Sequence, residues 1–450
     1  MKKLLLFAVT LIMCFSACFS FGCNAAAKGD YTYAGGGAEG SAPDGFTPSD
    51  RYGKPGGMPD ETGDKGDPTA PGDDKEDSSI EEILPEPGQL TAAAYNDNKY
   101  YDEWLKLFYK GQTKNDSGKF CDKQDYFDLY SLDRVKVTVK SGETPVEQAF
   151  VTCLSGEKVL FNAMTDANGV AYLFPRSDSG EIVVEVATAT SAFKKTTTFD
   201  KNHRTIIVDI EKPAPEKQNL IQLMFVVDAT GSMGDEMRYL VSELGDVLKR
   251  IVDKNGVRIE LGFLFYRDDC DKQNKFFEVD FTDVTDQAQY LKMQETLKLQ
   301  NAMGGGDYPE ALDEALLKAV NYKWAANATK IIFNVLDAPC HETDTDKKNF
   351  SSAVNAAAAK GIRICPIMAS GADLLTEYLT RQAAILTGGT FVFITDDSGI
   401  GGSHYDPNLP NAVIERLNDL MVRLVDGYYT GTFADPVYWR DAVKAERNNQ

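Results

Sequence analysis

The residues best suited to chemistry in this sequence are one carboxylate and two hydroxyls at alternate positions, Asp228, Thr230 and Ser232. They directly follow an apolar run, Leu220 to Val227, that is typical of a buried strand. Because a helix-like segment begins immediately afterwards, the intervening turn can bring the three oxygen-bearing side chains towards one point. Carboxylate and hydroxyl oxygens are hard ligands of the kind that Mg²⁺ and Ca²⁺ prefer. The turn therefore predicts one corner of a divalent-cation site.

Further acidic residues follow other predicted strands, at the point where each strand ends. In an open α/β sheet, ligands bind beyond the carboxyl ends of the strands, so these carboxylates are expected to crowd one edge. A divalent cation at that edge would offset their mutual repulsion. The residues concerned are Asp228, Asp268, Asp269, Asp337, Asp396 and Asp397, with Asp307 in a glycine-rich loop before a predicted helix.

Strands that alternate with helices over residues 218–430 must position these side chains. Such alternation predicts an α/β doubly wound, Rossmann-like domain with a largely parallel sheet, followed by a C-terminal tail over residues 431–450. The predicted strands are Leu220–Val227, Val257–Phe265, Phe276–Phe281, Lys330–Leu336, Ile362–Met368 and Thr390–Ile394. The predicted helices lie near Met233–Val252, Gln287–Leu297, Glu310–Tyr322, Lys347–Ala359, Leu374–Leu386 and Val413–Val425.

Three motifs in this order resemble the metal-ion-dependent adhesion site (MIDAS) of von Willebrand factor type A (VWA) domains. The first family motif, Asp-x-Ser-x-Ser, is matched by Asp228, Thr230 and Ser232, with Thr230 in place of the first serine. Asp307 follows three glycines where the family usually has a Thr ligand, and Asp337 matches the Asp of the third loop. The resemblance implies that these five residues bind a divalent cation, Mg²⁺ first, with Ca²⁺ or Mn²⁺ as alternatives. It also implies an open position for the carboxylate of a protein partner.

Asp307 departs from the family pattern, because it replaces a neutral Thr with a carboxylate. Three acids around a divalent ion leave a site with a net negative charge. Such a site attracts an acidic partner less strongly than a site with no net charge does. The Gly-Gly-Gly-Asp form is similar to that of a subset of bacterial and eukaryotic VWA domains. A capping role is the alternative, since the segment from Asp307 to Glu310 has the spacing of a capping box.

Three other residues are expected around the metal rather than on it. Arg267 and Asp268 are predicted to form a local ion pair or to support the ligands. His404 lies in a glycine-rich loop that begins at Asp396, and this loop is predicted to form a wall of a partner site or an ordinary surface loop. Cys270 and Cys340 both follow predicted strand ends at the same edge, which predicts a disulfide between them.

The N-terminal region predicts an exported protein on a tether. Residues 1–23 have the charged start and apolar run of a signal peptide. The segment from Phe15 to Cys18 resembles a bacterial lipobox, which implies a lipid on Cys18, with Cys23 as the alternative and an ordinary secretory signal as the plainer interpretation. Residues 24–88 are rich in Gly, Pro and acidic residues and are predicted to be a disordered linker. We therefore expect a lipid-anchored protein on the surface of a bacterial membrane.

Residues 133–212 show short apolar-polar alternations separated by turn signals, which predict a small all-β, immunoglobulin-like sandwich. The segment Thr165–Tyr172 resembles the turn and strand of carboxypeptidase-regulatory-like or transthyretin-like modules. Residues 89–132 are predicted to be a short connecting segment.

Composition narrows the function classes. A formal net charge of −21 repels polyphosphate, so no nucleic-acid partner is expected. The three histidines share no local motif, and no zinc site built from them is predicted. No nucleophile elbow, metalloprotease motif or phosphate loop occurs, which predicts that the chain is not an enzyme.

The resulting hypothesis is a membrane-tethered surface protein that binds a divalent cation and mediates protein–protein interaction or adhesion. The alternative is a structural or regulatory component of an envelope complex, with a metal site that is empty or not adhesive. A metal-dependent hydrolase is a third and less favoured hypothesis.

Overall fold

The computed structural model describes residues 84–109, 118–176, 180–188, 192–199, 205–210, 219–254 and 256–448. The described residues do not include the predicted signal peptide with Cys18 and Cys23. They also exclude nearly all of the predicted linker. Within the described ranges, no helix has the length and apolarity that crossing a membrane requires.

The described residues form sixteen strands in three sheets. In chain order they are β1 (Thr91–Tyr95), β2 (Val135–Ser141), β3 (Thr144–Pro145), β4 (Phe150–Ser155), β5 (Lys158–Met164), β6 (Val170–Leu173), β7 (Gly180–Ala187), β8 (Ala192–Phe199), β9 (Thr205–Asp209), β10 (Leu220–Asp228), β11 (Arg258–Tyr266), β12 (Phe276–Asp283), β13 (Thr329–Leu336), β14 (Ile362–Met368), β15 (Phe391–Ile394) and β16 (Ile414–Arg416).

The described α-helices lie mostly between strands of the largest sheet. They are α1 (Tyr101–Lys106), α2 (Met237–Lys254), α3 (Gln287–Lys298), α4 (Leu312–Val320), α5 (Asp344–Lys360), α6 (Leu374–Thr387), α7 (Leu417–Thr430) and α8 (Trp439–Asn448). Helix α8 occupies half of the segment that the sequence predicts to be a tail.

The largest sheet has eight strands in the order β12-β11-β10-β13-β14-β15-β1-β16. The five adjacent strands β11, β10, β13, β14 and β15 run parallel to one another, whereas β12, β1 and β16 pair antiparallel with their neighbours. Alternate residues of β10 enter two different cores, with Phe225 packing beside α2 and α7 and Val226 beside α4 and α5. Both faces of the sheet are therefore covered, which explains the nearly unbroken apolar runs of its central strands. The predicted α/β class is confirmed.

Strand β1 is not among the strands predicted from the sequence. It lies between β15 and β16 in the large sheet, although it precedes the predicted α/β segment by more than one hundred residues. The buried carboxylate of Glu243 on α2 accepts hydrogen bonds from the amides of Gly88, Gln89 and Leu90, at 2.7, 2.8 and 3.0 Å. The segment before β1 is thus attached to the α/β layer rather than linking two domains.

A buried ion network holds the other end of β1. Arg381 on α6 is 1% exposed and donates to both carboxylate oxygens of Asp97, at 3.0 and 2.5 Å. It also donates to Glu377 at 2.9 Å, and Lys119 pairs with the second oxygen of Glu377 at 2.5 Å. Two cations balance two carboxylates, so no charge in this core is left without a countercharge.

Residues 133–210 contribute two four-stranded sheets. One has the order β3-β2-β6 with β9 parallel to β2, and the other has the order β5-β4-β7-β8. Their buried side chains, such as Val137 and Val151, belong to the same core cluster as residues of α5 and α6. The two sheets therefore pack against the helical layer of the large sheet.

Candidate metal centre at the carboxyl edge of the large sheet

The strand order brings three acidic loops together. Strand β10 lies between β11 and β13, with Asp228 beside Tyr266 and Val227 beside Val335. Because these strands are parallel, the residues that follow them emerge at one edge. Asp268 follows β11 and Asp337 follows β13. The sequence-predicted crowding of carboxylates at this edge is thereby observed for these three residues.

Asp228, Thr230 and Ser232 form a hydrogen-bonded group, which we call the hydroxyl site. The Oδ1 atom of Asp228 accepts from the amide and the hydroxyl of Thr230, at 2.9 and 2.6 Å. The hydroxyls of Thr230 and Ser232 are 3.1 Å apart. Asp228 and Thr230 are buried, whereas Ser232 is exposed, so three oxygen-bearing side chains that could bind a hard cation lie together, with Ser232 at the surface.

The glycine-rich loop lies directly on the hydroxyl site. The amide of Gly231 donates to the carbonyl of Gly304 at 3.1 Å, and the amide of Met303 donates to the carbonyl of Ala229 at 2.9 Å. Gly305 has a φ of +85°, and a Cβ atom there would lie 3.2 Å from Thr230 Cβ. Only a residue without a side chain fits this close approach at positive φ.

Glu310, which the sequence predicts only as part of a helix cap, also lies at this site. The structure shows no such role, because α4 begins at Leu312 with Ala311 as its N-cap and no side-chain cap bond. Glu310 is 3% exposed and its Oε2 atom has no hydrogen-bond partner. The Oδ2 atom of Asp228 is likewise buried without a partner. Two buried carboxylate oxygens without donors are costly, and a cation would satisfy them.

The electrostatics of this edge favour a cation. Burial, followed by the charge of Asp337, raises the pKa of Asp228 to about 7. Burial, followed by the charges of Asp228 and Asp268, raises the pKa of Glu310 to about 9. Burial also raises the pKa of the Tyr266 hydroxyl well above its usual value. Each shift reflects a negative charge that the site disfavours and that a bound cation would stabilise.

A second group, which we call the histidine site, comprises Asp268, Asp307 and His341. Each contributes one ligand atom, and these atoms all lie within 4.8 Å of one another. Over the part of the chain that the structure describes, this is the one set of three His, Cys, Asp or Glu side chains that meets this criterion and could hold a metal ion. The structure therefore groups Asp307 with Asp268 and His341.

Of the two alternatives predicted for Arg267 and Asp268, an ion pair or support of the ligands, the structure shows no ion pair between these two residues. Its guanidinium donates to three backbone carbonyls, those of Met303, Asn274 and Asn301, at 2.9, 3.0 and 3.1 Å. Asp268 instead pairs with Nε2 of His341 at 3.0 Å. Arg267 therefore holds the loop before Gly304, while Asp268 is held by His341.

His404 is buried rather than placed on a partner-facing wall. Its Nε2 atom lies 2.6 Å from Glu236 and its Nδ1 atom 2.8 Å from Asp396, so both ring nitrogens face carboxylates. Burial lowers the pKa of His404, but the hydrogen bonds to Glu236 and Asp396 outweigh it, and the net pKa is raised above 6.5. A protonated imidazole can donate to both acids, which ties the 396–404 loop to the start of α2.

The disulfide predicted between Cys270 and Cys340 is absent from the structure, since both are free thiols. Cys270 is exposed and Cys340 is buried. Two cysteines at the same edge of a sheet therefore need not have the short Cα and Cβ separations that a disulfide requires.

Comparison with known proteins yields two partial matches. No protein-family model matches the chain. The chain is 28% identical to alpha-protein kinase vwkA of Dictyostelium discoideum over 125 residues, which cover 28% of this chain and 19% of the kinase. It is 29% identical to an ariadne-like RING finger protein of Acanthamoeba polyphaga mimivirus over 140 residues, which cover 31% of this chain and 13% of that protein.

The first match corrects one expectation. A segment of this chain is shared with a protein kinase, which contradicts the prediction that the chain is not an enzyme. The chain matches less than one fifth of the length of either relative, so the comparison concerns a segment and not a whole protein.

Proposed function

We propose that this chain is a VWA-domain protein that binds a divalent cation at the hydroxyl site and uses this edge of the sheet to bind a protein partner. The observation that carries the proposal is the pair of buried, unpartnered oxygens, Asp228 Oδ2 and Glu310 Oε2, beside two hydroxyls. Buried polar atoms are nearly always satisfied, and a cation with water in its coordination sphere supplies the missing interactions.

Mg²⁺ is the proposed ion, with Ca²⁺ and Mn²⁺ as alternatives. Asp228, Thr230 and Ser232 offer only oxygen atoms, which suits these hard cations. Asp337 and Glu310 would act on the ion mainly through water. With Glu310 supplying a buried negative charge, the ion attracts an acidic partner group less than a neutral site would, so partner binding relies on the surrounding loops as well.

The surroundings of the site suit a protein partner. Ser232, Asp307 and the aromatic ring of Tyr308 are exposed next to the cluster, and Met303 is 52% exposed on the same loop. Apolar and aromatic side chains beside a few charges are typical of protein-binding surfaces. We further propose that the chain is exported and lipid-anchored at Cys18, so that this edge faces partners at a bacterial cell surface.

Calorimetric titration of the chelator-treated full chain with Mg²⁺ tests the metal site. We expect the parent protein to bind one Mg²⁺ and the Asp228→Asn variant to lose this binding. Asp286→Asn is the control and should keep it, because Asp286 caps the start of α3 and lies outside the site. Undiminished Mg²⁺ binding by the Asp228 variant would refute the assignment.

Partner capture, with and without chelator, tests the interaction. The proposal predicts a partner retained by the parent protein with Mg²⁺ and lost with chelator or in Asp228→Asn. Equal capture in all three conditions would instead support a structural role for this edge. Since one relative is named a protein kinase, the same preparations are assayed for metal-dependent phosphoryl transfer to protein, and transfer lost in the Asp228 variant would assign catalysis to the site.

A further inference from the structure

The histidine site differs from the hydroxyl site in its donor atoms. It offers an imidazole nitrogen and two carboxylates, whereas Asp228, Thr230 and Ser232 offer only oxygen. Imidazole nitrogen suits Zn²⁺ and other transition metals, while Mg²⁺ and Ca²⁺ prefer all-oxygen surroundings. The two donor sets therefore select for different ions.

We propose that Asp268, Asp307 and His341 form a second cation site, which binds a divalent transition metal, Zn²⁺ first, next to the hydroxyl site. The distance between Nε2 of His341 and Oδ1 of Asp268 is 3.0 Å. Donor atoms bound to one ion at about 2.0–2.2 Å lie roughly 3–3.5 Å apart, so these two atoms already have the required separation. This inference does not depend on a cation at the hydroxyl site.

Backbone interactions hold the three loops of the histidine site together. The carboxylate of Asp271 accepts from the amide of Gly305 at 2.9 Å, which ties the Asp268 loop to the Asp307 loop. The amide of Glu310 donates to the carbonyl of Pro339 at 2.9 Å, which ties the Asp307 loop to the His341 loop. Ligands on cross-linked loops need little reorganisation when an ion binds.

Exposure provides a route for the ion. The side chain of Asp268 is 3% exposed and that of His341 25% exposed, while Asp307 lies at the surface. An ion would thus enter past Asp307 and reach the buried carboxylate last. Three protein ligands leave at least one position for water or for a group of a partner, as in zinc sites that are not purely structural.

Glu310 places a further buried carboxyl group near this site as well as near the hydroxyl site. A Cβ atom on Gly305 would lie 3.2 Å from Oε1 of Glu310, and one on the adjacent Gly306 would lie 3.0 Å from Oδ2 of Asp268. The two carboxylates therefore line the same short stretch of loop. Glu310 is 3% exposed and its Oε2 atom has no hydrogen-bond partner, so a buried carboxyl oxygen that a nearby cation could satisfy lies beside this loop.

Histidine NMR tests the proposal directly, because the chain has only three histidines. The full chain is labelled with ¹⁵N-histidine, treated with chelator and titrated with Zn²⁺. We expect one imidazole to change on addition of one equivalent, and His341→Gln to remove that signal. Asp307→Asn should weaken Zn²⁺ binding at least tenfold, whereas Asp228→Asn should leave it within about twofold. The unchanged resonance of His404 reports that each variant is folded.

Four results would overturn the proposal. They are no change in any histidine signal, a change confined to His404 or His203, an unaltered Zn²⁺ response in Asp307→Asn, and an equal response of His341 to Mg²⁺. Cys270→Ser should keep the Zn²⁺ response, and its loss would assign the metal to the exposed thiol instead. Loss of Mg²⁺ binding in Asp228→Asn with the Zn²⁺ response intact separates the two sites from each other.

Discussion

Replacing Asp228 by Asn should stabilise the metal-free protein and abolish its stabilisation by Mg²⁺. Asn keeps the Oδ1 acceptor for both bonds from Thr230 and places an uncharged amide where Oδ2 lacks a partner. It thereby removes a charge that burial and Asp337 disfavour. The same substitution removes the only carboxylate of the hydroxyl site, and a cation then loses its main countercharge there.

The expected size follows from the pKa of Asp228, which burial and then Asp337 raise from 3.8 to about 7. The shift is about three pH units, and each unit corresponds to about 1.4 kcal/mol, so the ionised group costs up to about 4 kcal/mol in the folded state. A carboxyl whose pKa is raised on folding contributes stability at low pH that is lost as the pH rises through 7. The advantage of the Asn variant should therefore be full at pH 8 and shrink as the pH falls towards 4.

Urea unfolding in chelator at pH 8 measures this difference, and repetition with Mg²⁺ measures the metal effect. Mg²⁺ at one hundred times its dissociation constant should stabilise the parent protein by about 2.7 kcal/mol and the variant not at all. Asp286→Asn is the control, since Asn caps a helix as well as Asp does. A variant that is less stable than the parent in chelator, or that Mg²⁺ stabilises equally, would refute the reasoning.

Three other substitutions test the buried charges. His404→Asn should lower the urea midpoint at pH 6, and the midpoint of the variant should fall less between pH 6 and pH 9 than that of the parent protein. The reason is that the raised pKa of His404 gives a stabilising contribution that is present at low pH and lost as the pH rises. Arg381→Met should cost about 3–5 kcal/mol in urea unfolding, since Asp97 loses its countercharge in the core and Glu377 keeps only Lys119. Glu243→Gln should cost about 1–3 kcal/mol and speed limited proteolysis of the segment before β1, because one of its acceptor oxygens becomes a donor.

The pattern of apolar runs predicts most of the α/β layer, because its strands are buried on both faces and its helices repeat with a clear period. The ends of those runs also locate Asp228, Asp268 and Asp337. Periodicity carries no information on strand order, however. The contact between these loops depends on β10 lying between β11 and β13, which only the structure shows.

The missed features depend on contacts that are distant in sequence. Strand β1 is short and alanine-rich, and its partners β15 and β16 lie about three hundred residues away. The spacing of Glu310 from Asp307 is that of a capping box, whereas tertiary packing turns its carboxylate towards Asp228. His341 has no local motif, and it joins Asp268 and Asp307 only because three separate loops meet. No pattern within one segment could identify these residues as one group.

The attachment of β1 has a mechanical consequence. A pull on the chain before Gly88 would act along a strand that is paired over four residues with β15 and over three with β16. Those ladders, together with the three amide bonds to Glu243, would be loaded in shear and would share the force rather than break one after another. The parallel strands that precede the loops of the two proposed metal sites lie beyond β15 in the same sheet, so β1 and its pairing partners would resist the force before it reached those strands. The edge with Asp228 can therefore hold its geometry while the chain is under load.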